Sequence, residues 1–269
     1  MMHWLAEHLE DGEVAYRVGR DGDELVAEWI GVVRLVARRD GSELRFEPDP
    51  GAEPRDVDKI VYGSSQLLLR HLQGKLGLHG AAVEIDGRAV VLLGESSDGK
   101  STLAASLCQR PGVKFLADDA VALELVADAY SVVPLERNHW LEASARTALG
   151  HDVPSSTTKE PVRARDVSSG GAPLVAFVEL RFEDVPAPTV RRLRGLEALA
   201  KLMPQIVRFV IDEPDMQRRE LDAILDLVGR VPMTSIGRPR RFDLLDATTD
   251  LVVDLARNQL PSPTVTSGV

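Results

Sequence analysis

The chain has 269 residues, 44% of them hydrophobic, which is ample for a buried core in one large domain or in a main domain with a small appendage. Its formal net charge of -10 is the wrong sign for tracking a phosphodiester backbone, and 4% aromatic residues leave few stacking platforms, so no nucleic-acid partner is expected. The one cysteine, Cys108, excludes an internal disulfide framework and lies in no metal-ligand spacing; it reads as a small core residue.

The first ten residues hold no basic region followed by an apolar run, and no stretch of about 18 apolar residues occurs anywhere. A cytoplasmic protein with no membrane partner is therefore expected. Residues 24–30, 32–38 and 43–47 are rich in β-formers, and Asp40-Gly41 suits a hairpin turn. They predict a small antiparallel N-terminal subdomain within residues 1–54, closed by the proline-rich linker 48–54. Ile60, Val61, Leu67, Leu68, Leu69 and Leu72 recur at helical spacing over 57–76, with Gly77 as a stop. Strands 78–85 and 88–93 follow, joined by Asp86-Gly87; the second is apolar on both faces and so belongs at the centre of a sheet.

A helix is predicted over 100–109, a turn over 110–113, and a strand over 114–117 that ends in Asp118-Asp119. Strands 120–126 and 130–134 are joined through Asp128. Residues 150–172 are rich in Ser, Thr, Gly and Pro and read as a surface loop, with 155–160 as its mobile part. Beyond it come a strand at 174–180, helices at 196–202 and 216–228, a short strand at 231–236 and a helix at 247–257. The main domain is expected to span 55–260, with a disordered tail at 261–269.

The segment Gly94-Glu-Ser-Ser-Asp-Gly-Lys-Ser101 satisfies G-x-x-x-x-G-K-[ST], with an apolar strand before it and a helix-forming run after it. In that setting the loop's backbone N–H groups and the positive end of the helix face one anion. Gly94, Ser96, Ser97, Asp98, Gly99, Lys100, Ser101 and Thr102 are the candidate nucleotide-binding residues. Lys100 would reach the β- and γ-phosphates and the Ser101 hydroxyl would sit on Mg²⁺. If Leu93 and Ala117 end two parallel strands joined by a helix, a right-handed crossover brings Asp118 and Asp119 to the same sheet edge as the loop. One carboxylate there can hold Mg²⁺ and another can accept a proton from an attacking hydroxyl; as a bare turn, the pair would do neither.

Leu78-His-Gly-Ala-Ala-Val, the loop with Lys-Ser-Thr-Leu103, and Phe115-Leu-Ala-Asp-Asp-Ala-Val-Ala-Leu123 together resemble the core of the HPr kinase/phosphorylases and their shorter relatives, some encoded beside ribosomally made peptides. The resemblance runs from about 30 to 257. It implies an α/β fold, a P-loop kinase-like domain of the HPr kinase / PEP carboxykinase type. It also implies a serine kinase using ATP and Mg²⁺ on a hydroxyl of a protein or peptide, and a possible homo-oligomer. By motif position Asp118 would be the base, Asp119 its companion at the metal with Ser101, and His79 the histidine beside the phosphates. On the residues alone, His79 is equally a hydrogen-bonded strand residue.

The chain departs from that pattern at Ser97, where glycine is usual, and at Asp98, where a small neutral residue is usual. The C-terminal signature of the full-length bifunctional enzymes is absent. Beside a nucleotide hydrolase working as a motor or switch, for which no switch glutamine or coupled domain is found, two readings follow: an active phosphotransferase, or a non-catalytic descendant that binds a peptide or nucleotide as a scaffold or regulator. They are separated by the direction of the Asp98 side chain, since a carboxylate turned into the cradle excludes an anion. His139, Trp140 and His151 lack metal spacing. Arg191, Arg192 and Arg194 read as a solvated face, Lys159 as a loop lysine, and Asp212, Glu213 and Asp215 as a helix start. Arg137 is a candidate for the transition-state charge.

Overall fold

The computed structural model describes residues 2–151, 159–209 and 214–258. Residues 155–158 of the expected loop, Asp212, Glu213 and the tail 261–269 lie outside the described residues. The first five strands, β1 (His3–Glu10), β2 (Glu13–Asp21), β3 (Glu24–Trp29), β4 (Val33–Arg38) and β5 (Leu44–Pro48), form an antiparallel meander in chain order. Alternation turns Leu25 and Ala27 of β3, with Leu35 and Ala37 of β4, to one face. That face packs on Leu67, Leu68 and Leu72 of the helical arm that follows.

The arm begins with α1 (Pro54–Lys59), whose proline supplies a preset φ at the first turn. It passes through a π-helical turn, residues 60–64, into α2 (Ser65–Leu72). The arm ends before the predicted stop: Gly74 takes the left-handed conformation (φ 72°), and Gly77 opens the next strand instead of terminating the helix.

A seven-stranded mixed sheet makes the core. Its strands are β6 (Gly77–Ile85), β7 (Arg88–Leu93), β8 (Val113–Val126), β9 (Ala129–Val133), β12 (Ala172–Phe182), β13 (Thr189–Leu193) and β14 (Met233–Arg238). They lie in the order β13-β14-β12-β7-β6-β8-β9. Only β12 with β7 and with β14 is parallel. Beside this sheet, β10 (Asn138–Leu141) pairs with β11 (Glu160–Arg163), with α4 (Ala143–Ala148) between them in sequence.

As expected, β7 is central. Val90 and Leu92 pack with α3 (Lys100–Leu107) and α7 (Leu245–Asn258), while Val91 and Leu93 belong to the core that includes α5 (Leu196–Leu202) and α6 (Pro214–Arg230). The sheet is thus covered by helices on both faces, the usual condition for a strand apolar all round. Among the described residues no helix is long and apolar enough to cross a membrane.

Two expectations are corrected. The strand carrying Asp118 and Asp119 does not end at Ala117, because it continues unbroken as β8 to Val126. Nor do β7 and β8 form an adjacent parallel pair, because β6 lies between them and is antiparallel to both. The chain leaves β7, runs through α3 and returns on the far side of β6. Asp118 pairs with Ala81, which pairs with Leu92, so the carboxylate still comes level with the base of the loop.

Candidate active site

Residues 94–99 connect the C-terminal end of β7 to α3, the strand-loop-helix arrangement the motif needs. Gly99 takes a left-handed φ of 77°, which favours glycine, and a Cβ there would push the Arg238 guanidinium aside. Ser97 stands at φ 70°, in the left-handed region. The Asp98 carboxylate folds back on its own loop, accepting the Glu95 N–H at 2.7 Å, while its main-chain carbonyl accepts from Arg238 Nη2 at 2.7 Å. Asp98 does not border the cleft above the loop, whereas Ser96, Ser97, Gly99, Lys100, Ser101 and Thr102 do. The Asp98 carboxylate is thus turned away from the cleft, though it occupies one of the loop's own donors, the Glu95 N–H.

The cleft has a volume of about 220 Å³. Lys100 is buried, and its ammonium donates to the carbonyls of Gly94 and Glu95, both at 2.9 Å. Burial lowers its pKa, with nearby Asp119 and Asp98 opposing. Among the described residues Lys100 is held by carbonyls and by no carboxylate, so an anion entering the cradle meets a free-charge donor.

Ser101 Oγ donates to Asp118 Oδ1 at 2.8 Å, and the Trp140 N–H donates to Asp118 Oδ2 at 2.7 Å. Asp118 is 1% exposed, and burial pushes its carboxyl up to about 7 against the pull of these two hydrogen bonds. Asp119 would face away from Asp118 in a regular strand, but its φ of 77° takes it out of the extended region and both carboxylates border the cleft. It is more open, with its side chain 38% exposed, and lies 3.2 Å from both His79 Nδ1 and Lys59 Nζ. Burial alone would raise the Asp119 carboxyl; the charges of Lys59 and His79 outweigh it and hold the group below the ordinary range. Burial lowers the His79 pKa, against the attraction of Asp119.

The catalytic candidates Asp118, Asp119 and His79 thus come together with the loop. The metal pairing expected from position, Ser101 with Asp119, differs from the observed bonding, in which Ser101 bonds to Asp118. Arg137 does not border the cleft, and the Arg191 side chain pairs with Glu197, as a solvated face would. Lys159 does border it.

Sequence reasoning missed several neighbours. Lys59 lies 5.0 Å over the Trp140 ring, and Glu136 is buried nearby. Burial, then the charges of Asp118 and Asp119, push the Glu136 carboxyl up to about 9. Arg238, Arg240 and Phe182 form the opposite wall, with both guanidinium groups over the Phe182 ring at 4.6 and 5.2 Å. The run Gly237-Arg-Pro-Arg-Arg241, basic and directly after a predicted strand, is the signal that could have found this wall.

Two protein oxygens, from Ser101 and Asp118, fit the sparse protein ligation of Mg²⁺, which fills its shell with phosphate and water oxygens. Among the described residues no group of three His, Cys, Asp or Glu side chains is placed to hold a metal by itself. The donor set fits a magnesium-bound polyphosphate better than a dedicated metal centre.

No protein-family model and no curated protein matches the chain. Among solved structures it is similar to the Hpr(Ser) kinase/phosphatase from Coxiella burnetii, with 15% identity and a TM-score of 0.37, over 68% of this chain and 88% of that one.

Proposed function

We propose that this protein is a phosphotransferase that uses ATP with Mg²⁺ and passes the phosphoryl group to a hydroxyl on a small protein or peptide. The observation that carries the reading is the convergence in one cleft of a buried, carboxylate-free Lys100, the Ser101–Asp118 pair and the ionised Asp119. Phosphoryl transfer asks chiefly for positioning and charge neutralisation, which these groups supply.

When bound, the magnesium triphosphate supplies the transferable group. Lys100 and the N–H groups of the loop bind its phosphate oxygens. Asp118 has both oxygens engaged, by the Ser101 hydroxyl and the Trp140 N–H, and serves the metal side with Ser101. Asp119, charged and open to the cleft, takes the proton of the acceptor hydroxyl; Lys59 and His79 hold it in place. This division exchanges the roles that motif position alone assigns to the two aspartates.

The test is calorimetric titration of the folded protein with ATP and Mg²⁺ beside Lys100→Ala. The wild type is expected to bind and the variant to bind at least about tenfold more weakly, as loss of a charge-assisted contact implies. No heat of binding to the folded wild type would sink the reading.

A further inference from the structure

Phe242 borders the cleft with 49% of its surface exposed, on the 3₁₀ turn Phe242–Leu244 that leads into α7. A lone exposed phenylalanine needs no explanation, but this one is not alone. Arg240 and Arg241 precede it on the same wall, and the Arg240 guanidinium is 5.2 Å over Phe182. Leu245, which begins α7, also borders the cleft. The turn is held in place relative to the loop because α7 packs on α3, with the hydroxyls of Ser106 and Thr249 3.0 Å apart. The cleft therefore has a charged end at Lys100 and Ser101 and, at the α7 end, the planar groups of Phe242 and Arg240.

We propose that Phe242 and Arg240 form the base platform of the nucleotide site, gripping a purine ring by its faces and not by its edge. The inference rests on the phosphate-cradle reading above. Guanidinium and phenyl planes both stack on a heterocycle, and stacking does not depend on which exocyclic groups the ring carries. Among the described residues bordering the cleft there is no Asn or Gln, which pair two-fold with an adenine edge, and the arginines, which pair so with guanine, are engaged elsewhere: Arg238 donates to the Asp98 carbonyl, Arg241 pairs with Asp243, and Arg240 lies over Phe182. The protein accordingly takes ATP and GTP with affinities within about threefold of each other, and pyrimidine triphosphates more weakly because the smaller ring covers less of the platform.

The experiment compares ATP, GTP and inorganic tripolyphosphate, each with Mg²⁺, by calorimetry on wild type, Phe242→Ala and Phe242→Tyr. Because Phe242 is exposed, neither variant is expected to unfold the protein. The platform predicts that Phe242→Ala weakens ATP and GTP about tenfold, leaves tripolyphosphate within about twofold, and that Tyr restores the purines. Unchanged ATP affinity in Phe242→Ala overturns it, and so does an equal loss of ATP and tripolyphosphate, or a wild type that prefers one purine by more than about tenfold. A wild type that binds neither ATP nor tripolyphosphate fails at the cradle itself, which separates that result from failure of the platform.

Discussion

Glu136 shows how a buried group can be costly and still be kept. It sits against Gly63 of the π-helical turn, where a Cβ would come 3.0 Å from its Oε1, and close enough to Asp118 and Asp119 for their charges to raise its pKa. Its folded pKa of about 9 lies far above that of an exposed glutamate. Between roughly pH 4.5 and 9 the folded protein therefore binds a proton that the unfolded chain does not. Stability falls as pH rises through this window, and is free of the penalty below it. Glu136→Gln should remove that slope: the variant gains on the order of 1 kcal/mol or more over wild type at pH 8, about 2–4 °C in Tm, and little or nothing at pH 5. Equal gains at both pH values would show that the carboxyl is not the cause. Nothing in the sequence around Glu136 marks it, since its partners come from the arm, β8 and β10. Lys59 is hidden in the same way: it reads as one more polar residue on a helix until the fold carries it to Asp119. Lys100 and Ser101 were legible because the phosphate-loop motif is a short-range spacing; Asp118 and Asp119 were singled out by the family resemblance and by a crossover that the fold does not use.

At the scale of elements, the site depends on β6, the strand inserted between the loop's strand and the strand of the aspartates. Gly80 lies opposite Asp119, and a Cβ there would fall 2.7 Å from the main-chain oxygen of Leu92. That oxygen belongs to β7 two residues before the loop, so it has no flexible side chain's freedom to retreat. Gly80→Ala should cost about 1–3 kcal/mol in urea unfolding, as overpacking does, and should weaken ATP binding as β6 and β7 part. A variant as stable as wild type would mean the sheet yields there freely. The paired strands around Asp86-Gly87 were legible from their apolar, β-forming runs and a two-residue turn. The polar β1, β10, β11 and β13 and the short α4 were not: β1 mixes Leu, Ala and Glu, which favour helix, and becomes a strand by pairing with β2. The expected crossover topology failed because local pattern fixes strand direction poorly, and a hairpin followed by a helix allows the chain to return on either side.

For the whole molecule, a net charge of -10 conceals a cleft in which Lys100, Lys159, Arg238, Arg240 and Arg241 outnumber the carboxylates of Asp118, Asp119 and Glu142, with Lys59 behind Asp119. A net charge summed over the chain could not show that five cations border one cleft. Raising salt from about 50 to 500 mM shortens the screening length from roughly 14 to 4 Å, and ATP affinity should fall several-fold in calorimetry. Salt-independent binding would place the ligand away from this wall.

Trp140 occupies an unusual post. Its main chain holds Asp118, its ring lies under Lys59, and it borders the cleft. The other two tryptophans, Trp4 and Trp29, belong to β1 and β3 of the N-terminal meander. The molecule therefore carries its own optical gauge of occupancy. With Trp4 and Trp29 replaced by phenylalanine, the remaining indole emission reads the state of the cleft directly, in real time and without a label.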